Sequence, residues 1–166
     1  YMVETLRPNM NVDSTPEYVK YIFMDNLMMN VYPSKPETYN GSALISEYPE
    51  FSAAVKTCAA LRQQYLSYFA DGLTISDTAV DGDIPCRVSG YFDREKKSFL
   101  MVVYKYVDND AAIPFDLSYF TDAASHTWTI TDEGANLVAS GDMGARGEIT
   151  VSGEKSRLYM IEIKAK

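Results

Sequence analysis

Histidine and cysteine are scarce in this sequence, and their scarcity limits the chemistry that the chain can carry. Among 166 residues there is one histidine, His126, and there are two cysteines, Cys58 and Cys86. One histidine excludes any metal site that needs several histidine ligands. His126 is close to Trp128 in a segment of alternating polarity, so we expect it to face solvent. We therefore expect no catalytic triad built wholly within this chain.

The two cysteines match no metal-binding spacing, and two interpretations of them stay open. They could form a disulfide only if the fold brought their Cα atoms close together, which the sequence does not decide. Two buried free thiols are the interpretation that we favour, because an unpaired cysteine packs as a small apolar side chain.

Long apolar runs and clusters of positive charge are also missing. No apolar run approaches the roughly 18 residues that a membrane-spanning helix needs. The net charge is −8, of which −3 falls in residues 1–72 and −5 in residues 73–166. Neither half carries the basic stripe that a phosphate backbone or an anionic membrane surface would attract. We expect neither nucleic acid nor a membrane among the partners.

Sequence motifs of known chemistry are absent as well. There is no GxSxG, HExxH, phosphate-binding loop or dinucleotide fingerprint, and we expect no metal and no cofactor. The start of the chain, Tyr1 to Glu4, has neither the basic nor the apolar region of a signal peptide, and position 1 is not Met. We expect a mature product or, better, a piece of a longer chain.

The amino-terminal part of the sequence predicts strands and helices in alternation. Residues 2–6 alternate apolar and polar side chains, which predicts a short strand. Ser14 followed by Pro16 and Glu17 is typical of a helix start and predicts a helix over residues 16–30. Two prolines in residues 32–37 end that helix, and a further short strand is possible at residues 43–45. This order is typical of βα units.

A long amphipathic helix is predicted over residues 49–69. Its apolar residues recur at steps of three and four, which places them on one helical face: Phe51, Val55, Cys58, Leu61, Tyr65, Leu66 and Phe69. Pro49 suits the first turn, and Gly72 stands where a left-handed C-cap would fall.

After Gly72 the apolar period changes from about three and a half to two. Alternating segments are separated by turn residues, among them the charged connection Asp93 to Lys97. Residues 113–119 alternate cleanly, with Tyr119 in the apolar set, and residues 99–104 are nearly all apolar, as in a strand covered on both faces. Seven or eight short strands at this spacing predict an antiparallel sandwich. The glycines at 141, 144 and 147 are interpreted as a flexible hairpin loop. The overall prediction is an α+β fold, with a βα segment over residues 1–72 and a β-sandwich over residues 73–166.

Few residues qualify as site candidates. Glu4 lies near the end of a predicted strand, where a barrel enzyme carries its catalytic acid, although a solvated side chain or an ion pair with Arg7 is the more common reason for such a glutamate. Tyr32 and Tyr39 lie in the predicted loop between the helices. Tyrosine rings on loops can stack on sugars, and they also commonly fix a loop to a core.

Several stretches resemble a known enzyme family. Ile45-Ser46-Glu47-Tyr48-Pro49-Glu50-Phe51, the Leu61-Arg62-x-x-Tyr65 pattern and Phe69-Ala70-Asp71-Gly72 resemble the last barrel helix of TIM-barrel glycoside hydrolases. Val88 to Asp93, Lys97 to Tyr104 and Leu158 to Ile163 are similar to strands of the β-sandwich that follows it in the α-galactosidase-like and related bacterial enzymes. The resemblance covers the whole chain in architecture, but a full barrel needs about 250 residues.

The resemblance implies a carboxyl-terminal portion of such a hydrolase, whose sandwich braces a barrel that lies on other chain. It implies that Glu4, Arg7, Tyr32 and Tyr39 border a sugar site, that the partners are carbohydrate and the rest of the barrel, and that the chain alone is inactive. A parent enzyme that degrades polysaccharide would be secreted. Two alternatives stay open: a non-catalytic carbohydrate-binding module that presents Trp128 and loop tyrosines, and a structural or interaction domain without a ligand.

Overall fold

A computed structural model describes residues 5–6, 32–33, 49–76, 78–82 and 84–166 of the chain. It shows the predicted α+β fold with an antiparallel β-sandwich. In chain order the elements are β1 (Thr5–Leu6), β2 (Tyr32–Pro33), α1 (Pro49–Gln64), α2 (Leu66–Asp71), β3 (Leu73–Ser76), β4 (Cys86–Asp93), β5 (Ser98–Lys105), β6 (Ala111–Asp116), β7 (Ser125–Asp132), β8 (Leu137–Gly144), β9 (Arg146–Val151) and β10 (Arg157–Ala165).

The chain divides into two compact units, Tyr1–Gln64 and Tyr65–Lys166. The division precedes Tyr65, on the amino-terminal side of the boundary expected after Gly72. In the first unit, β1 and β2 pair in parallel, with Thr5 opposite Tyr32 and Leu6 opposite Pro33. Parallel neighbours need a crossover connection, as in a βα unit. The sequence predicted that residues 32–37 end the preceding helix and predicted no strand at Tyr32 and Pro33, so β2 was not expected. The helix expected over residues 16–30 and the strand at 43–45 lie outside the described residues.

The long helix predicted over residues 49–69 is interrupted. Tyr65, with φ −107° and ψ 28°, separates α1 from α2. In α1 the buried residues Ala54, Cys58 and Leu61 follow the amphipathic spacing. Gly72 ends α2 in an extended conformation (φ −70°, ψ 148°), so the expected left-handed cap is wrong. Glycine is needed there for space, because a Cβ atom would meet the carbonyl oxygen of Tyr68.

The second unit is a sandwich of unequal sheets. The larger sheet has six strands in the order β3-β4-β5-β10-β7-β8, and the smaller consists of β6 and β9. All pairings in these two sheets are antiparallel. Every residue of β5 is buried, which confirms the prediction of a strand covered on both faces. The core between the sheets is apolar and includes Phe99, Met101, Val103, Ile113, Phe115, Ile130, Ile149 and Ile161.

Within the sandwich, two further segments differ from the sequence-based expectation. Residues 137–144 form the edge strand β8, so the glycine-containing segment is not a loop. The strand that begins at Ala111 ends at Asp116 rather than at Tyr119, and Tyr119 is 80% exposed. The charged connection expected at Asp93 to Lys97 is present, because residues 94–97 join the paired strands β4 and β5.

Lys105 is a fully buried cation at one end of the sandwich. Its ammonium group donates hydrogen bonds to the main-chain carbonyl oxygens of Asp108 and Gly153. The backbone nitrogen of Ser156 donates to the carbonyl oxygen of Lys105 (2.7 Å), and the side chains of Lys155 and Asp108 form an ion pair (2.9 Å). These contacts tie two separate loops to the end of β5.

Both cysteines are buried and neither forms a disulfide, which confirms the favoured interpretation of two buried thiols. Cys86 lies directly opposite Lys105 in the β4–β5 pairing. Burial raises the pKa of the Cys86 thiol to about 11, although the positive charge of Lys105 acts in the opposite direction. At neutral pH this thiol is therefore protonated and a poor nucleophile.

Trp128 packs across the edge of the sheet onto Gly141. The two residues are opposite each other in the β7–β8 pairing. A Cβ atom at position 141 would come within 2.6 Å of Cζ2 and 2.9 Å of Cε2 of the Trp128 indole. The ring is partly buried and contacts the core cluster.

We expect Gly141→Ala to displace the Trp128 ring and to lower the free energy of unfolding by about 1–3 kcal/mol through overpacking. Trp128 is the only tryptophan of the chain, so its fluorescence emission reports the displacement directly. Urea unfolding followed by fluorescence and by circular dichroism measures both effects. Ser140→Ala, at the exposed neighbouring position of β8, is the control and should behave as wild type. Equal stability and emission in Gly141→Ala and wild type would contradict the packing.

Candidate functional site

The residues that the sequence nominates as site candidates fall largely beyond what the structure describes. Glu4, Arg7 and Tyr39 lie outside the described residues. Tyr32 belongs to β2 by its backbone, and its side chain is likewise outside the described part. Their roles at a sugar site therefore stay predictions.

The described candidate is the attachment of α2 to the outer face of the large sheet. The Tyr65 hydroxyl lies 2.8 Å from Oγ1 of Thr131 in β7. The Tyr68 hydroxyl forms hydrogen bonds with Oγ of Ser98 in β5 (2.8 Å) and Oε1 of Glu162 in β10 (2.9 Å). Three strands are thus linked to one helical turn and the residue before it.

This attachment is largely shielded from water. Tyr65 and Tyr68 are buried, and burial raises the pKa of both phenols, so both hydroxyls stay neutral. The ring of Phe69 meets that of Tyr91 in β4 edge to face, with centroids 5.0 Å apart. Buried hydrogen bonds have fixed geometry and are costly to break. The attachment therefore fixes α2 on the large sheet.

His126 contradicts the expectation that it faces solvent. It is fully buried on the inner face of β7, opposite Met143 in β8 and Ala165 in β10. Its ring lies edge to face against Phe99, with centroids 6.4 Å apart. Neither Nδ1 nor Nε2 has a hydrogen-bond partner, which is costly for buried polar atoms.

The described part of the chain offers no cluster of metal ligands and no membrane-spanning helix. Among those residues, no three His, Cys, Asp or Glu side chains are placed to share a metal ion. Neither α1 nor α2 is both long and apolar enough to cross a bilayer.

Removing the Tyr68 hydroxyl should loosen the attachment. We expect Tyr68→Phe to lower the free energy of unfolding by about 1–3 kcal/mol, because Glu162 and Ser98 lose a buried partner. Tyr106→Phe changes a tyrosine that is 52% exposed and should cost less than about 0.5 kcal/mol. Chemical denaturation of both variants measures the difference, and equal stabilities would show that the hydrogen bonds contribute nothing.

Replacing His126 is expected to increase stability, in contrast to Tyr68→Phe. We expect His126→Leu to raise the free energy of unfolding by about 1 kcal/mol, since it replaces two unpaired nitrogen atoms by apolar groups. His126→Asn keeps buried polar atoms and should give no such gain. Thermal unfolding of the three proteins at pH 7 decides the question. A stability loss in His126→Leu would mean that the imidazole has a favourable partner after all.

No protein-family model matches the chain, and no curated protein matches it. Solved structures do share its fold. A noncanonic maltogenic alpha-amylase, AmyB from Thermotoga neapolitana, is 15% identical with a TM-score of 0.54, over 98% of this chain and 41% of that chain. A GH30 endoxylanase from Clostridium papyrosolvens is 14% identical with a TM-score of 0.55, over 97% of this chain and 42% of that chain.

A xyloglucanase from glycoside hydrolase family 44 of Paenibacillus polymyxa is 18% identical with a TM-score of 0.54, over 88% of this chain and 29% of that chain. All three of these neighbours are glycoside hydrolases. At such low identity the likeness shows a shared fold. The chain spans less than half the length of each of these neighbours.

Proposed function

We propose that the chain is the carboxyl-terminal portion of a glycoside hydrolase, in which the sandwich braces a catalytic barrel. The observation that carries this proposal is the pattern of structural coverage. Nearly the whole chain is matched in each of the three hydrolases named above, and less than half of each hydrolase is matched in return. A match between nearly all of this chain and less than half of each enzyme fits a portion of an enzyme better than a complete one.

In this proposal residues 1–72 are the end of the barrel-like region and residues 73–166 are the sandwich. The parallel pairing of β1 with β2 supports a βα origin for the first part, because barrel strands are parallel. The attachment of α2 supports bracing, since Tyr65 and Tyr68 fix the chain leaving α1 to three strands of the sheet.

The active site would be completed by residues outside this chain. Glycosidases act through a pair of carboxylates that flank the bond to be cleaved. Glu4 is the candidate for one of them, and Arg7, Tyr32 and Tyr39 would border the sugar. At least one carboxylate of the pair would then lie elsewhere in the parent protein. This chain alone would bind or position substrate without hydrolysing it.

The finer assignments rest on the sequence resemblance alone. They place the parent among the α-galactosidase-like and related bacterial enzymes, and they make it a secreted protein. The two alternatives, a non-catalytic carbohydrate-binding module and a structural domain, would use the sandwich without a barrel. Trp128 serves the module poorly as a flat sugar platform, because it is partly buried and packs on Gly141.

The test compares this chain with the product of its reading frame extended upstream. Aryl glycosides of several sugars are offered to both proteins, and the released phenol is measured. We expect the extended protein to hydrolyse at least one glycoside and the 166-residue chain to hydrolyse none. Turnover by the short chain would contradict an incomplete active site, and an upstream frame without strand–helix repeats would contradict the parent barrel.

Bracing has its own readout in the extended protein. Tyr68→Phe is expected to lower the temperature of half-inactivation while leaving kcat/KM at 25 °C unchanged, because it weakens a hydrogen bond within the sandwich and changes none of the proposed sugar-binding residues. Tyr106→Phe is the matched control. Equal inactivation temperatures for Tyr68→Phe and wild type would contradict a bracing role.

A further inference from the structure

Tyr119 is the most exposed of the large apolar and aromatic side chains in the described part of the chain. Its exposure is 80%, compared with 66% for Leu137 and 52% for Tyr106. Single exposed apolar residues are common and need no explanation by themselves. What distinguishes Tyr119 is the structure that holds it.

The turn that carries Tyr119 is rigid. Its start is fixed by Asp116, whose Oδ1 accepts hydrogen bonds from the backbone nitrogen of Ser118 (3.0 Å) and from the Ser118 hydroxyl. Its end is fixed by backbone hydrogen bonds from Phe120 (2.9 Å) and Thr121 (3.2 Å) to the carbonyl oxygen of Leu117. The backbone of Tyr119 is thus held from both sides.

The residues on either side of the tip anchor the turn in the core. Leu117 is fully buried, and its backbone nitrogen donates to the carbonyl oxygen of Ala145 (2.8 Å). The ring of Phe120 lies 6.0 Å from that of Phe92 and 6.1 Å from that of Phe99, between centroids. The chain therefore presents Tyr119 outward while folding has already restricted the backbone, which lowers the entropy lost when a ligand binds.

Polar groups cluster at Asp116, at the start of the turn that carries Tyr119. Nε of Arg146 forms an ion pair with Oδ2 of Asp116 at 2.9 Å, and the Arg146 side chain is 71% exposed. Hydrogen bonds from Ser118, together with the charge of Arg146, hold the pKa of Asp116 below its usual value, so the pair is formed at neutral pH. Opposite charges that neutralise each other leave hydrogen-bonding groups without a net local charge.

We propose that Tyr119, Ser118 and Arg146 form a non-catalytic surface site for neutral oligosaccharides, in which the apolar face of a pyranose ring stacks on Tyr119. The exposed guanidinium and hydroxyl groups supply hydrogen bonds to the sugar hydroxyls. The choice of glycans as ligands rests on the proposed function. The location of the site and its preference for neutral chains rest on the geometry described above.

A neutral sugar fits this surface better than a charged polymer or a protein. The Asp116–Arg146 pair offers no excess of either sign, and the neighbouring Asp122 is acidic, so an anionic polysaccharide gains little. A protein partner needs a larger apolar centre than one ring among polar residues. A pyranose has an apolar face and polar edges, which match a tyrosine beside donors and acceptors.

The test is affinity electrophoresis of the 166-residue chain in native gels that contain soluble xyloglucan, xylan, starch or galactomannan. We expect retardation in at least one of these neutral gels. Tyr119→Ala should bind about tenfold more weakly, as expected for the loss of one aromatic contact. Tyr119→Trp should keep binding, and Tyr106→Ala, which removes another exposed tyrosine, should migrate as wild type.

Three outcomes would overturn the site. These are no retardation in any neutral gel, equal retardation of wild type and Tyr119→Ala, and stronger retardation in polygalacturonate than in the neutral gels. Since Tyr119 is exposed, its replacement should leave the unfolding curve unchanged, and that measurement confirms that the variants are folded. Failure here leaves the hydrolysis and inactivation assays of the extended protein unaffected, so the two proposals can fail separately.

Discussion

The second unit depends on burying both faces of a central strand of its large sheet. Such a sheet needs other structure packed against each face. In β5, Phe99, Met101 and Val103 face the smaller sheet, while Leu100 and Val102 face the opposite way and are equally inaccessible to water. The inner face is met by the β6–β9 ribbon. On the outer face the aromatic side chains of the short helix α2 are hydrogen-bonded or packed onto the strands. The ribbon on one face and the helix on the other together cover β5 within the unit.

The features that the sequence predicted well are those set by local pattern. Strict alternation located most of the strands, and the uninterrupted apolar run of residues 99–104 identified the doubly covered strand. The charged segment between β4 and β5 identified the hairpin, since chain reversal needs polar residues at the surface. The amphipathic period located α1, whose buried side chains keep the expected spacing. Each of these signals depends on a residue and its near neighbours.

What the sequence did not reveal depends on contacts between distant segments. β8 was missed because its glycines favour a loop, and Gly141 is required only by the indole on the adjacent strand. The helix breaks at Tyr65, whose hydroxyl lies 2.8 Å from Oγ1 of Thr131, far away in the chain. For His126 a signal was present: it shares the parity of Trp128 and Ile130, but its polarity was given more weight than its position. For Tyr119 the alternating pattern predicted a place on the apolar face of a strand. The strand ends before Tyr119, and the side chain is exposed.

The buried ammonium group of Lys105 has a consequence for motion. The ammonium group of Lys105 binds carbonyl oxygens of two loops. If one loop opened and Lys105 moved with it, the carbonyl oxygen of the other loop would lose its partner. If Lys105 stayed in place, its buried charge would lose a partner, which is also costly. The loops around Asp108 and Gly153 should therefore exchange their amide hydrogens as a single cooperative unit, although they are distant in the chain. The buried lysine thus couples the opening of one loop to the opening of the other.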